Sequence, residues 1–314
     1  MNYLIVGGTG LFGGRLAVYL REQDPQAAIT ATKLPTEAAP MLPGVTWADV
    51  DVLDTLSIVE TLQKARPNVI FDFAVQNSVS YAWVNPGATV DVNVTGALNL
   101  MDAVRQLDYQ PTVVLAGSGE EYGRMPFDKL PQAEDANPNP GNIFGASKAC
   151  QTMMAQIYCR AYKMKLIVLR TFNEIGPGQS GRFVVSNFCR QFALIEAGRA
   201  EPVLHTGNVN IQRDFTDVRD LVRAFALVAE KGRPGEVYNA GRGAAVPIRR
   251  VLELLQQATG VTVEIHADAE RIRPIDTPKF EADVTKIAAD TGWKAEIPLE
   301  QTVMDMLEYW RKNI

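Results

Sequence analysis

The feature that most constrains the fold is a glycine-rich run directly after an apolar segment at the start of the chain. Residues 3–6 read YLIV and are followed by GGTGLFGG, whose glycines have the spacing G-x-x-G-x-x-G. This pattern is typical of a strand-to-helix turn that places backbone N–H groups and the positive end of a helix dipole against a pyrophosphate. A turn with packing duties alone is the alternative. The motif predicts a dinucleotide site contacted by Gly7, Thr9, Gly10, Leu11, Phe12 and Gly13.

Strand and helix patterns then alternate through the first half of the chain. Strand-like segments occur at 27–33, 45–51, 67–75, 112–119 and 166–172, and helix-like segments at 55–65 and about 86–107. Such alternation with right-handed crossovers gives a parallel, doubly wound sheet. We therefore expect an α/β protein, with a Rossmann domain over 1–172 and a smaller C-terminal substrate-binding domain over 173–314. About 209–240 is expected to return to the first domain.

The end of the second strand indicates which dinucleotide is bound. An NAD site usually has Asp or Glu there to accept hydrogen bonds from the ribose 2′-hydroxyl. Here the strand ends in Thr32 and Lys33. A hydroxyl and a cation suit a 2′-phosphate, so NADP(H) is favoured over NAD(H), although Lys33 could simply be a solvated surface lysine.

Further cofactor contacts are expected where the later strands end, because ligands of such sheets bind beyond the carboxyl ends of the strands. Asp51 and Val52 are placed to touch an adenine ring. Asn93 interrupts the apolar stripe of the following helix and is also expected among the cofactor-binding residues; a surface amide or a structural hydrogen-bonding link near the site fits it as well. The fourth strand ends in residues that would line the cofactor: Ala74, Val75 and Gln76.

The fifth strand runs into GSGEEYG, residues 117–123. Ser118, Glu120 and Tyr122 would lie at the mouth of the site, where a hydroxyl and a carboxylate leaving one strand suit acid–base chemistry. A Ser-Gly turn with exposed glutamates fits the same residues. The segment alone leaves both interpretations open.

The motifs GGTGLFGG, GSGEEYG, GASKA, RTFNEIGPGQ and RDFTDVRD together resemble the extended short-chain dehydrogenases/reductases that act on nucleotide sugars. Within them, the chain is most similar to the GDP-4-keto-6-deoxy-D-mannose reductase and GDP-mannose 4,6-dehydratase group. The resemblance covers essentially the whole chain. It implies an NAD(P)-dependent oxidoreductase, with a nucleotide sugar, GDP-linked by preference, as its substrate.

The resemblance also implies catalytic roles. Ser118 matches the hydroxyl that bonds the sugar at C4, and Glu120 matches the dehydratases' carboxylate, although reductases also carry acids there. Lys148 matches the lysine that holds the nicotinamide ribose. Phe144 stands where the family has its catalytic tyrosine, so the expected proton donor is missing. Glu174 stands in FNEIG where FNHIG is usual.

Phe144 has three interpretations. It is an engineered exchange of tyrosine, or it is natural and Ser118, Glu120 or Tyr122 relays the proton, or the protein binds its ligands without turnover. We prefer the first two because the surrounding site is otherwise intact. The expected activity is the reduction of a nucleotide-linked 4-keto-6-deoxyhexose at C4, and Phe144 is expected to impair it if no other group supplies the proton. The alternatives are a 4,6-dehydratase or 4-epimerase and a non-catalytic binding protein.

The second half is expected to hold an anionic substrate. Arg213 and Arg273 come from distant segments and suit a diphosphate, since a guanidinium binds phosphate oxygens in two places. Asp217 is expected to cap a helix. By resemblance, the remaining substrate contacts are Asn173, Glu174, Asn187 and Arg190.

Composition excludes several other classes of function. A net charge of −5 argues against nucleic-acid and anionic-membrane partners. Neither a secretion signal nor an apolar run of about 20 residues is seen. The three cysteines indicate a cytoplasmic protein with free thiols, and two distant histidines argue against a metal site. Helix-like residues 147–163 have apolar residues on two faces, so pairing with 86–107 predicts a four-helix homodimer interface.

Overall fold

The computed structural model describes residues 1–268 and 277–314. Its strands are β1 Asn2–Val6, β2 Ala28–Lys33, β3 Val45–Asp49, β4 Val69–Asp72, β5 Thr112–Ser118, β6 Lys165–Thr171, β7 Asn173–Ile175, β8 Val203–Thr206, β9 Gln212–Arg213, β10 Phe215–Asp217, β11 Val237–Ala240, β12 Val246–Pro247 and β13 Glu264–Ala267. Its α-helices are α1 Leu11–Gln23, α2 Thr55–Ala65, α3 Val79–Val84, α4 Pro86–Val90, α5 Ala97–Arg105, α6 Ile143–Tyr162, α7 Val184–Glu196, α8 Val218–Lys231, α9 Ile248–Thr259, α10 Thr285–Thr291 and α11 Leu299–Arg311.

Seven parallel strands form the main sheet, in the order β3-β2-β1-β4-β5-β6-β11. The central strands β1, β4 and β5 are apolar on both faces, as expected of strands covered by helices on each side. The strand order reverses between β1 and β4, where such sheets bind ligands beyond the carboxyl ends. The predicted doubly wound α/β fold is confirmed.

Each face of the sheet has its own helical layer. Helices α1 and α8 bury Leu16, Leu20 and Phe225 on one face, and α2, α5 and α6 bury Leu62 and Met101 on the other. A third apolar core lies outside the sheet, between α7, α9 and α11. The chain returns from it to the main sheet through α8 and β11. No helix of the described part of the chain combines the length and hydropathy needed to cross a bilayer.

Two helices differ from the expected bounds for local reasons. The segment expected at 86–107 contains a wide π-helical stretch at Asp91–Gly96 between α4 and α5. Gly96 faces Val52 there, and a Cβ on that glycine would lie 2.6 Å from Val52 Cγ2. Helix α6 begins at Ile143, because Asn142 Oδ1 accepts a hydrogen bond of 2.9 Å from the N–H of Gly145.

Candidate active site

One cavity of about 1530 Å³ opens at the carboxyl ends of the main sheet and extends under α7 and β8. It brings together expected cofactor and substrate residues from both halves of the chain. The expected residues that line it are Gly7, Thr9, Gly10, Leu11, Phe12, Thr32, Lys33, Asp51, Val52, Ala74, Val75, Gln76, Ser118, Glu120, Phe144, Lys148, Asn173, Glu174, Asn187 and Arg213.

The glycine turn between β1 and α1 has the geometry of a phosphate cradle. Gly7 has φ +79° and its N–H donates to Thr32 Oγ1 at 3.0 Å. A Cβ there would lie 2.7 Å from the carbonyl of Phe73. Gly10 precedes α1 and offers no side chain to bond the first N–H groups of that helix. Gly13 is not among the described residues that line the cavity. It packs against the turn, and a Cβ on it would lie 2.6 Å from the carbonyl oxygen of Gly7.

The end of β2 has three polar groups instead of the expected two. Thr32 Oγ1 is held by the N–H of Gly7, and Lys33 Nζ pairs with Asp49 of β3 at 2.5 Å. Glu37 also lines the cavity; its Oε2 accepts 2.9 Å and 3.3 Å hydrogen bonds from Thr9 Oγ1 and the N–H of Leu34. The sequence reasoning missed this carboxylate because it follows the strand by four residues.

Lys148 is buried on α6 beside the end of β4. Its Nζ donates to Gln151 Oε1 at 2.7 Å. Burial lowers the pKa of its ammonium from 10.5 to about 8, and the buried Asp72 carboxyl opposes that shift. Burial likewise raises the pKa of Asp72 to about 6. The site therefore keeps a cation at its floor at neutral pH.

Asn93 does not line the cavity in the described part of the chain, which corrects the expectation of a cofactor contact. Its side chain is 1% exposed. Oδ1 accepts from the N–H of Gln76 at 2.8 Å, and Nδ2 donates to Gln76 O and to Ser147 Oγ. Ser147 Oγ in turn donates to the carbonyl of Phe144. The structural alternative is the better description: Asn93 ties the end of β4 to α6.

The turn after β5 is fixed by a buried ion pair that the sequence reasoning did not identify. Glu121 is fully buried and bonds Arg170 Nε at 2.8 Å and Thr152 Oγ1 at 2.8 Å. Its Oε1 also accepts from the N–H of Ser118 at 2.9 Å. Ser118 Oγ accepts from the N–H of Glu120. These hydrogen bonds hold the turn after β5 in one conformation, in which Ser118 and Glu120 line the cavity.

Tyr122 does not lie at the mouth of the site, contrary to expectation. Its ring is fully buried against Arg170, and its hydroxyl donates to Asn239 Oδ1 at 2.7 Å. Burial raises its pKa to about 12. Because it turns away from the cavity, Tyr122 cannot relay a proton to a ligand there.

Phe144 and Glu120 occupy the wall between the two halves of the cavity. Phe144 is 7% exposed and packs with Val79 and Ala82. Glu120 Oε2 accepts a hydrogen bond of 2.8 Å from Asn142 Nδ2, which also caps α6 through its Oδ1. One asparagine thus fixes both the carboxylate and the start of the helix that carries Phe144.

Glu174 lines the cavity from β7. Its backbone carbonyl accepts from Gln179 Nε2 at 2.8 Å. Burial, together with the smaller effect of the charge of Glu120, raises the pKa of the Glu174 carboxyl from 4.5 to about 7. Glu174 therefore holds a proton more readily than a solvated glutamate does.

The two arginines expected to bind the substrate differ in their position relative to the cavity. Arg213 is 4% exposed, donates to the carbonyls of Gln212 and Thr277, and lies over the Phe280 ring. Arg190 is exposed and is not among the described residues that line the cavity; its guanidinium lies over the Trp310 ring, and its expected substrate contact stays a prediction.

Other residues complete or qualify this half of the site. Asn187 lines the cavity and donates to the carbonyl of Gly181 at 3.0 Å. Arg182 and His205 also line it and were not anticipated. Arg182 precedes α7, which begins at Val184. Arg273 lies outside the described residues.

Comparison with known proteins agrees with this geometry. Residues 4–306 match the family described as GDP-mannose 4,6 dehydratase. The GDP-6-deoxy-D-mannose reductase of Pseudomonas aeruginosa is 31% identical over 248 residues, which are 79% of this chain and 82% of that protein.

Solved structures are similar over the whole length of the chain. The structure of RMD from Pseudomonas aeruginosa complexed with NADPH has a TM-score of 0.88 at 28% identity and covers 100% of both chains. The UDP-glucose 4-epimerase of Thermotoga maritima, solved with UDP-glucose, has a TM-score of 0.90 at 26% identity, covering 100% of this chain and 99% of the other.

The expected family resemblance and enzyme class are thereby confirmed. The matching family spans nearly the whole chain, and its relatives include reductases, dehydratases and epimerases of nucleotide sugars. The chain belongs to the GDP-mannose 4,6 dehydratase family of the extended short-chain dehydrogenases/reductases, which are NAD(P)-dependent enzymes that act on nucleotide sugars.

Proposed function

We propose that the protein reduces a nucleotide-linked 4-keto-6-deoxyhexose at C4, of the GDP-4-keto-6-deoxymannose type. The observation that carries this proposal is the single cavity in which Ser118 and Lys148, beside the glycine turn, meet Asn173 and Arg213 of the substrate half. The reductase relative supports the reaction type, and both its name and the family's support GDP. The epimerase neighbour with UDP-glucose supports a sugar nucleotide as the ligand class.

The residues present fit a nicotinamide dinucleotide. Gly10 has no side chain to bond the first N–H groups of α1, so these groups can bind a pyrophosphate. Lys148 would hold the ribose next to the nicotinamide. When bound, the reduced cofactor supplies a hydride to carbon 4 of the sugar. The structural neighbour solved with NADPH supports this cofactor class.

We favour NADP(H) over NAD(H), and the support is electrostatic. Lys33 Nζ lines the cavity at the end of β2, where a 2′-phosphate would lie. Asp49 already partly neutralises this ammonium, and Glu37 adds a negative charge to the same end of the cavity. The preference for the phosphate form is accordingly expected to be modest.

On the substrate side, Ser118 and Arg213 have complementary roles. Ser118 Oγ accepts a hydrogen bond from the N–H of Glu120, and its own O–H would donate to the C4 oxygen. The buried Arg213 guanidinium would bind the diphosphate. Phe144 contributes shape but has no proton to give.

The test is an assay that follows NADPH absorbance with GDP-4-keto-6-deoxymannose, comparing the chain as it stands with Phe144→Tyr. Restoring a hydroxyl beside Lys148 should raise kcat, because a tyrosine there adds a positioned general acid to the site. NADPH consumed in proportion to product identifies a reductase. Product without net consumption would instead identify the dehydratase or epimerase reaction, for which Glu120 is the available base. Tight ligand binding without turnover in either form would contradict the enzyme proposal.

We also propose a homodimer built on α6 and the helical run from α4 to α5. Both elements lie on one face of the sheet and leave apolar side chains exposed, among them Ile157 and Val90. Such a face is best explained by a second copy of the chain.

A further inference from the structure

The cavity has lost one proton donor and holds an unexplained carboxyl group. Phe144 leaves no hydroxyl at the wall of the site, and Tyr122 is turned away and bonded to Asn239. Glu174 lines the same cavity as Ser118 and Lys148, and no step described so far uses its side chain. It also stands where the related motif has histidine.

We propose that Glu174, which lines the cavity together with Ser118 and Lys148, donates the proton to the C4 oxygen of the sugar. This inference rests on the proposed reduction. It makes Glu174 a catalytic residue and makes its carboxyl group the replacement for the missing phenol.

The surroundings of Glu174 suit a proton donor. Glu174 is desolvated on β7 and faces the charge of Glu120, which together hold the pKa of the Glu174 carboxyl at about 7. Glu120 Oε2 itself accepts a hydrogen bond from Asn142 Nδ2. A carboxyl group with a pKa near 7 is partly protonated at neutral pH and can act as a general acid.

The other charged groups near Glu174 are already paired. On β10, which is hydrogen-bonded to β7, Asp217 accepts from Arg219 and Thr302. On α8, which packs against the same strand, Asp220 pairs with Arg223. Lys148 faces the cavity from α6 and donates to Gln151. Glu120 is therefore the group that most directly sets the protonation of Glu174.

The step balances without a further reagent. The hydride adds to C4 with its electron pair, and the π electrons of the carbonyl move to the C4 oxygen. The O–H bond of Glu174 breaks, a new O–H bond forms on the sugar, and Glu174 is left as a carboxylate. The nicotinamide is oxidised, the sugar is reduced, and solvent reprotonates Glu174.

A double-variant experiment tests the assignment. Glu174→Gln is compared in the parent chain and in Phe144→Tyr, with Glu60→Gln, an exposed residue of α2, as the matched control. We expect Glu174→Gln to lower kcat of the parent by about 10²–10⁴, as loss of a general acid does. In Phe144→Tyr the same change should cost little, because the phenol supplies the proton. In the parent, kcat should fall as pH rises through about 7 and Glu174 ionises.

A titration provides a readout that does not depend on turnover. With ¹³C-labelled glutamate, one carboxyl should titrate near pH 7 in the parent and be missing in Glu174→Gln. Full activity of Glu174→Gln in the parent would overturn the proposal, and so would equal losses in both backgrounds. If every variant including Phe144→Tyr is inactive, the proposed function fails, and absence of the high-pH carboxyl then refutes the protonated Glu174 separately.

Discussion

At the scale of single residues, the site is defined by which charges are already paired. Lys148 keeps its ammonium at the floor of the cavity because Asp72 opposes the cost of burial. Glu121 and Arg170 neutralise each other beneath Ser118, which leaves the hydroxyl available to the cavity. Burial on β7 raises the pKa of Glu174, which the residue type alone does not indicate. The chemical role of each charged residue therefore depends on its neighbours in the fold, which the residue type alone does not reveal.

The proposed preference for NADP(H) depends on the charges of two side chains. Removing the negative charge of Glu37 should favour the cofactor that carries an extra phosphate, because that carboxylate lines the end of the cavity near Lys33. We expect Glu37→Gln to increase the NADPH:NADH affinity ratio by about 3- to 10-fold, on the order of 1 kcal/mol for one partly solvated charge. Lys33→Ala should lower the same ratio.

The measurement is the dissociation constant of each reduced cofactor, read from quenching of protein fluorescence at fixed ionic strength. Glu22→Gln, an exposed change on α1 away from the cavity, is the control. Equal shifts for NADH and NADPH in Glu37→Gln would show that the residue only shapes the turn through Thr9 and Leu34.

The sequence could indicate candidate ligand-binding residues, but not the residues that fix their positions through hydrogen bonds. Gly7 was recognisable from the glycine spacing after an apolar strand, and Ser118 and Lys148 from motifs that resemble those of the family. Glu121 and Asn93 act through partners at residues 170, 152, 147 and 76, which lie far away in the chain. Pairing over such separations depends on the folded sheet, so the sequence pattern contains no local signal for it.

At the scale of elements, the decisive junction is between the turn after β5 and the start of α6. Gly145 in the first turn of α6 lies against the carbonyl of Glu120, and a Cβ there would be 2.4 Å from that oxygen. Asn142 links the same two elements through both ends of its amide. The bounds of these elements were close to predictable, whereas their contact required the three-dimensional structure. The division into domains at residue 172 stays a prediction.

Gly145→Ala tests this junction. The added methyl group must displace the Glu120 carbonyl or the start of α6, so both Ser118 and Phe144 move relative to the cavity. We expect kcat/KM to fall by at least about 10-fold and unfolding stability to drop by about 1–3 kcal/mol, as overpacking usually causes. Gly87→Ala in α4 is the matched control, because nothing lies within 4 Å of its added Cβ. The prediction is checked by steady-state kinetics and urea unfolding of both variants. Values of kcat/KM and of unfolding stability for Gly145→Ala that equal those of the parent would contradict the claim that this junction is rigid.

At the scale of the whole molecule, the two faces of the main sheet are covered to different extents. On the face of α1 and α8, the return of the chain through α10 adds a further layer, with Trp293 buried against α8. On the other face, α6 is the outer layer and leaves Met153 and Ile157 each 51% exposed. Exposed apolar side chains on a helix that already buries one face against the sheet indicate a missing partner.

The last prediction concerns that partner. If two copies pair through α6 and the run from α4 to α5, a charge at the centre of the interface must be desolvated without compensation, which costs several kcal/mol per dimer. Ile157→Glu should therefore convert a dimer into a monomer in light scattering at micromolar concentration, with little change in the fold because that side chain is half exposed in the single chain. Val18→Glu on α1, where Val18 is 45% exposed on the opposite face, should remain dimeric. A parent chain that scatters as a monomer, or dimers that persist in Ile157→Glu, would assign these apolar side chains to another role.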